Sequence, residues 1–137
     1  MITSENGYQL IRDNEGFSAH VYADAGHQAI GYGHDLLPGE SYPNGIDEAH
    51  AEFLLSADVA KAENALNPLI PEDCTQNQFD ALVDFTYNLG AGAVKEMLAH
   101  GWSAVPTQIV RWDHAGGQVL PGLLERRQKE LALFQTP

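Results

Sequence analysis

The stretch from Glu15 to His34 constrains this chain more than any other. It reads Glu15-Gly16-Phe17-Ser18-Ala19-His20-Val21-Tyr22-Ala23-Asp24-Ala25-Gly26-His27-Gln28-Ala29-Ile30-Gly31-Tyr32-Gly33-His34. His20-Val21-Tyr22 supplies strand-forming residues, Asp24-Ala25-Gly26 a turn, and Ala29-Ile30-Gly31-Tyr32 a return strand. A small hairpin sheet over His20–Tyr32 follows. Two carboxylates, Glu15 and Asp24, stand before the hairpin and at its turn.

The rest of the chain reads as helix. Ser4 is a possible cap and Gly16 a stop, so a first helix covers Ser4–Asn14 and leaves Glu15 at its C-terminal end. Leu36–Gly45, with Pro38, Gly39, Pro43 and Gly45, is a loop. Asp47 caps a long helix running to about Asn67, with Ala49, Phe53, Leu54, Ala57 and Ala60 recurring at three- and four-residue steps. Thr75-Gln76-Asn77-Gln78 is a capping box. It opens a core helix bearing Phe79, Leu82, Val83, Phe85 and Thr86, which ends at Asn88-Leu89-Gly90. Further helices are expected over Ala93–His100, Val105–Trp112 and Gly122–Phe134, with Trp102 and Trp112 in the core.

A chain of 137 residues is one domain and needs no staples to bury a core. Cys74 is the only cysteine, so no internal disulfide can form and the fold suits a reducing compartment. It follows Glu72-Asp73, and acidic neighbours raise a thiol pKa, the wrong direction for a nucleophile. The polar N-terminus has no basic region followed by an apolar run, so neither a signal peptide nor a membrane span is expected. Net charge is −12, with three Lys and four Arg. That argues against nucleic acid, whose phosphates require a basic surface. The six His residues show no His-Glu-x-x-His or other close ligand spacing, so no metal and no cofactor are expected.

Paired carboxylates are what glycoside cleavage needs. One stays protonated to protonate the leaving oxygen; the other stays ionised to handle water or positive charge. Glu15 suits the first role. A helix C-terminus disfavours ionisation, and burial beside Phe17 and Tyr22 pushes the same way. Asp24 suits the second role, although an Asp in a turn often just bonds its own backbone. Gly31 and Gly33 would weaken a strand unless backbone approaches something closely, and a sugar chain in a cleft is a reasonable something.

These residues in this order resemble the phage-type lysozymes, the endolysin muramidases of glycoside hydrolase family 24. The likeness rests on Glu15-Gly16, Tyr22-Ala23-Asp24 and Ile30-Gly31-Tyr32-Gly33-His34. It continues through Gln78–Val83, Tyr87-Asn88-Leu89-Gly90, Arg111-Trp112, Ala115-Gly116-Gly117, Pro121-Gly122-Leu123 and Arg126-Arg127, colinear over nearly the whole chain. It implies an α+β, mostly helical, lysozyme-like fold. A hairpin lobe at about residues 15–45 would be joined by a connecting helix at 47–67 to a helical lobe at 75–137, with a cleft between. It implies hydrolysis of the β-1,4 bond from N-acetylmuramic acid to N-acetylglucosamine in peptidoglycan, for host lysis by a phage or prophage.

The same resemblance implies roles for particular residues. Glu15 and Asp24 would be catalytic. Tyr32, Gly33, His34, Tyr87 and Asn88 would line the substrate site. His34 has a structural alternative, pinning the hairpin to the long helix through Asp80 or Asp84, and Asn88 a capping one. Arg126 or Arg127 would lie near Glu15 and oppose the rise in its pKa. One departure matters: the family's water-holding Thr is Ala29 here, and the turn before it is one residue shorter. His27 or Gln28 could substitute. A transglycosylase-like route through Glu15 alone, a catalytically impaired wall-binding module, and a Cys74-dependent amidase are the alternatives. The expected partner is the glycan strand of bacterial peptidoglycan, with no nucleic acid and no membrane. A monomer is expected, made in the host cytoplasm, acting on the wall in the periplasm, and dependent on a separate membrane-permeabilising protein for access.

Overall fold

A computed structural model describes residues 1–24 and 26–137. The first helix, α1 (Glu5–Glu15), starts where the Ser4 hydroxyl accepts from the Gly7 N–H, and it stops at Gly16, whose φ is 70°. Glu15 is thus its last residue. Mid-helix Gly7 has a packing reason: a Cβ there would meet Thr3 Cγ2 at 2.6 Å and Asp80 Cγ at 2.8 Å. The N-terminal segment is stitched to distant helices. Thr3 donates from backbone and hydroxyl to Glu63, and Ser4 donates from its N–H to Asp80 at 3.0 Å.

The sheet has three antiparallel strands, β1 (Ser18–Asp24), β2 (His27–Gly31) and β3 (His34–Asp35), in that order. Tyr22 pairs with Ala29, Ala23 with Gln28 and Asp24 with His27, and an irregularity separates Ser18 from Tyr22. The Asp24-Ala25-Gly26 turn includes Ala25, which lies outside the described residues. The third strand extends the expected hairpin. It is too short for alternation to mark it in the sequence.

Helix α2 (Glu48–Leu66) starts at Asp47, whose carboxylate accepts from the His50 N–H. The apolar face expected for it is wrong except at Leu54. Ala49, Phe53, Ala57 and Ala60 are exposed; Ala51, Leu54, Leu55, Val59, Ala62 and Leu66 are the buried residues. Alanine abundance on both sides of this helix left the period ambiguous, and only the leucines and Val59 mark the true face.

Helix α3 (Gln76–Leu89) opens with both halves of the Thr75–Gln78 capping box. It is the centre of the fold, packed on by α1, α2, α4 (Ala91–Leu98) and α6 (Pro121–Phe134). Phe79, Leu82, Val83 and Phe85 are fully buried with Ile11, Leu55, Val94, Met97 and Ile109. Trp102 and Trp112 pack against this core half-buried, on Phe134 and edge-on to Phe85. Gly90 ends α3 with φ 95° and at once starts α4, so α4 lies two residues earlier than expected.

The expected helix over Val105–Trp112 is broken. A 3-10 turn (Trp102–Ala104), the single turn α5 (Val105–Gln108) and a second 3-10 turn (Ile109–Arg111) replace it. Thr107, Ile109 and Val110 are β-branched and weak helix formers, while Pro106 suits only a first turn. Next comes an unexpected hairpin, β4 (His114–Ala115) and β5 (Gln118–Val119), joined by Gly116 and Gly117 with φ of 59° and 79°. A Gly-Gly pair at positive φ is a two-residue hairpin turn, a signal present in the sequence and passed over. Among the described residues no helix is long and apolar enough to cross a membrane.

Candidate active site

Glu15 leaves the end of α1 with its side chain 16% exposed. Arg126 Nη1 on α6 donates to its Oε2 at 2.7 Å. Burial pushes the Glu15 pKa up, Arg126 pulls it back by charge and hydrogen bond, and the Asp84 and Asp24 carboxylates push it up again. The outcome is a raised pKa, the direction a general acid requires. Of the two candidate arginines, Arg126 is the one that touches Glu15. Arg127 turns inward to Glu130, at 2.6 Å from Nε to Oε1, and donates to Asn88 Oδ1 at 2.8 Å.

Gly33 packs directly on Glu15. A Cβ at Gly33 would overlap the carboxyl, and φ is +76°. A Cβ at Gly31, whose φ is +67°, would meet Ala51 Cβ at 3.2 Å and Ile46 Cδ1 at 3.3 Å. What these glycines let approach is the protein itself: the acid at Gly33, and α2 with its preceding loop at Gly31. The expected sugar chain is not needed to explain them.

Strand register sorts the residues around Asp24. Directly paired residues share a face and successive ones alternate. Tyr22, Asp24, His27 and Ala29 therefore lie on one face, and Ala23 and Gln28 on the other. Asp24, His27 and Gln28 are exposed; Ala29 is fully buried. Tyr22, expected beside Glu15, has its pKa raised by burial and then by Glu15 and Asp24, so it stands in the field of both carboxylates.

His34 is buried between two acids. Nδ1 lies 2.6 Å from Asp58 on α2, and Nε2 lies 3.0 Å from Glu40. Glu40 also accepts from the Leu37 N–H and the Tyr42 hydroxyl, each at 2.6 Å. His34 does pin the sheet to the long helix, but through Asp58 rather than Asp80 or Asp84. Asp80 instead holds Ser4 and Gln76, and Asp84 holds Arg126. Burial opposes a charge on His34, yet the two carboxylates win and its pKa rises.

Tyr87 donates from its hydroxyl to the Tyr32 carbonyl at 2.6 Å, joining α3 to the sheet. The Tyr32 ring packs on half-exposed Phe17 at 5.6 Å. Gly33, Asp35, Asp58, Lys61 and Tyr87 line an open groove of about 330 Å³ between the sheet, α2 and α3. Asn88 is not among its walls, and its side-chain oxygen is held by Arg127. Cys74 is half-buried, with its pKa raised by burial and by Asp73. Among the described residues no three His, Cys, Asp or Glu side chains converge as metal ligands.

Sequence reasoning gave Asp84 the wrong partner and missed Asp58, Glu40 and Glu130. Asp84 and Asp58 meet their partners across 42 and 24 positions, and Glu40 and Glu130 act nearer by, from positions that read as ordinary loop or helix surface.

A sequence model described as phage lysozyme matches residues 12–130. The chain is 36% identical to the endolysin of Bacillus phage B103 over 99% of its own length and 55% of that protein's. It thus spans about half the length of that relative. It is 34% identical to the endolysin of Acyrthosiphon pisum secondary endosymbiont phage 1, over 99% of both chains. The muramidase domain of SpmX from Asticaccaulis excentricus has the same fold, with a TM-score of 0.84, 32% identity, and coverage of 98% of this chain and 97% of that one. The matched span and the α+β architecture agree, and the chain belongs to the phage lysozyme family.

Proposed function

We propose that this chain is a muramidase that hydrolyses the β-1,4 bond between N-acetylmuramic acid and N-acetylglucosamine in bacterial peptidoglycan, serving as a phage or prophage endolysin. The observation that carries the reading is Glu15, a mostly buried carboxyl with a raised pKa at the end of α1. Glu15 protonates the glycosidic oxygen. Asp24, exposed on the strand face beyond it, steadies the positive sugar or a water on its other side. His27 shares that face with Asp24 and is the group that handles water where the family has Thr; Gln28 points the other way. The groove bearing Gly33 and Tyr87 takes the glycan strand. The protein acts as a monomer on the wall and relies on a separate membrane-permeabilising protein to reach it.

Purified wild type and Glu15→Gln are incubated with peptidoglycan, and the soluble products are weighed by mass spectrometry. Reducing-end muropeptides from wild type alone are expected. Anhydro products would replace hydrolysis with the transglycosylase route. Binding to walls without products from either protein would overturn the enzyme reading in favour of a wall-binding module, the reading favoured by the buried, hydroxyl-free Ala29.

A further inference from the structure

Beneath Glu15 lies a set of buried charges that the acid step does not itself use. Arg126 commits two of its three nitrogens to one carboxylate: Nε donates to Asp84 Oδ2 at 3.0 Å and Nη2 to Asp84 Oδ1 at 2.9 Å. Only Nη1 reaches Glu15. Asp84 has no exposed surface and also accepts from Asn14 Nδ2 at 3.2 Å, next to the acid on α1. Glu130, equally buried, lies 3.9 Å from Arg126 Nε and is itself held by Arg127.

A free guanidinium against a carboxyl in a poorly solvated site would force that carboxyl to ionise. A general acid so placed would lose its proton near neutral pH. Bidentate capture by a second carboxylate removes most of that field while leaving the fork rigid. We propose that Asp84 is a positioning residue for Glu15: by chelating Arg126 it neutralises the guanidinium and limits it to one orienting hydrogen bond, so the acid is aimed without being stripped of its proton. This rests on the reading of Glu15 as the general acid.

The surroundings agree in direction. Glu15 is faced by Arg126 from α6, by Asp84 and Tyr87 from α3, and by Tyr22 and Asp24 from β1. Burial raises its pKa most, Arg126 lowers it, and Asp84 raises it. Burial also works against the Asp84 charge, but neighbouring Glu130, the charge and hydrogen bonds of Arg126 and the hydrogen bond from Asn14 hold that pKa low. Asp84 is therefore biased toward its charged form and Glu15 toward its protonated one.

The test follows the Glu15 carboxyl by carbon-13 NMR titration in wild type, Asp84→Asn and the double variant Asp84→Asn/Arg126→Gln, alongside the pH profile of peptidoglycan cleavage. Asp84→Asn keeps the shape and removes the charge, so Glu15 should titrate about one pH unit lower, with the basic limb of activity moving in step. The double variant removes both charges, and Glu15 should titrate above wild type, because the pull of Arg126 exceeds the push of Asp84. If Asp84→Asn does not fold, Asp84→Glu takes its place: it keeps a carboxylate but moves it off the Nε–Nη2 edge of Arg126, and Glu15 should again titrate lower. A Glu15 midpoint unmoved in whichever single Asp84 variant folds would overturn the proposal and leave Asp84 a purely structural residue. Wild type that releases no muropeptides would refute the enzymatic reading, and the titration would still report on Asp84.

Discussion

Gly33 and the Glu15 carboxyl occupy neighbouring space so closely that even one added methyl group would displace the acid. With Arg126 holding Glu15 from the other side, the carboxyl has nowhere equivalent to go. Gly33→Ala should lower cleavage on the order of 10²-fold, the cost of a small misplacement of a reacting group. The positive φ adds strain of about 1–3 kcal/mol, visible as a lower Tm. Wild-type rates from Gly33→Ala would show that Glu15 is not confined as described.

The strand register separates His27 from Gln28. His27→Ala should slow cleavage at neutral pH by roughly 10²-fold or more, within the usual worth of general-base assistance. Gln28→Ala should leave the rate unchanged. Equal rates for both variants would mean that Asp24 handles water without the neighbouring imidazole.

The Asp58–His34–Glu40 contact makes stability pH-dependent at both ends. The His34 pKa is raised on folding, so its contribution is complete below the unfolded value near 6.5 and is lost as pH rises through the folded one. Glu40 runs the other way. Hydrogen bonds from Tyr42 and Leu37 hold it down at about 2, so its contribution is present above the unfolded value and is lost as pH falls toward about 2. Melting curves from pH 3 to 9 should show Glu40→Gln losing Tm at pH 7 and matching wild type more closely as pH approaches the lower end. A constant Tm gap across that range would rule out linkage through Glu40.

The corrected face of α2 can be tested directly. Phe53 is 70% exposed, so Phe53→Ser should change stability by no more than about 0.5 kcal/mol. Leu55 is fully buried, and Leu55→Ala should cost about 2–5 kcal/mol in chemical denaturation. Reversed magnitudes would restore the face first read from the sequence.

What could be read in the sequence was local. Ser4, Asp47, the Thr75–Gln78 box and Gly90 announced their helix ends because capping is settled within four residues. The α2 face was misread because alanine carries little pattern. Around the acid, the dipole and partial burial of Glu15 followed from its place at a helix end, and the Arg was anticipated only as one of two. Asp84, which decides what that Arg does, lies 69 positions from Glu15 and 42 from its guanidinium partner. No local rule connects such residues. Only the packing of α1 and α6 on α3 does.

The same stitching orders events during synthesis. Ser4 waits for Asp80, 76 residues later, and Glu15 waits for Arg126, 111 residues later. A nascent chain therefore carries its acid from the start but stays without the surroundings of that acid until α6 has emerged. Glu15 acquires its final proton affinity only once α6 has left the ribosome, which makes a copy stopped before that helix chemically unlike one that carries it.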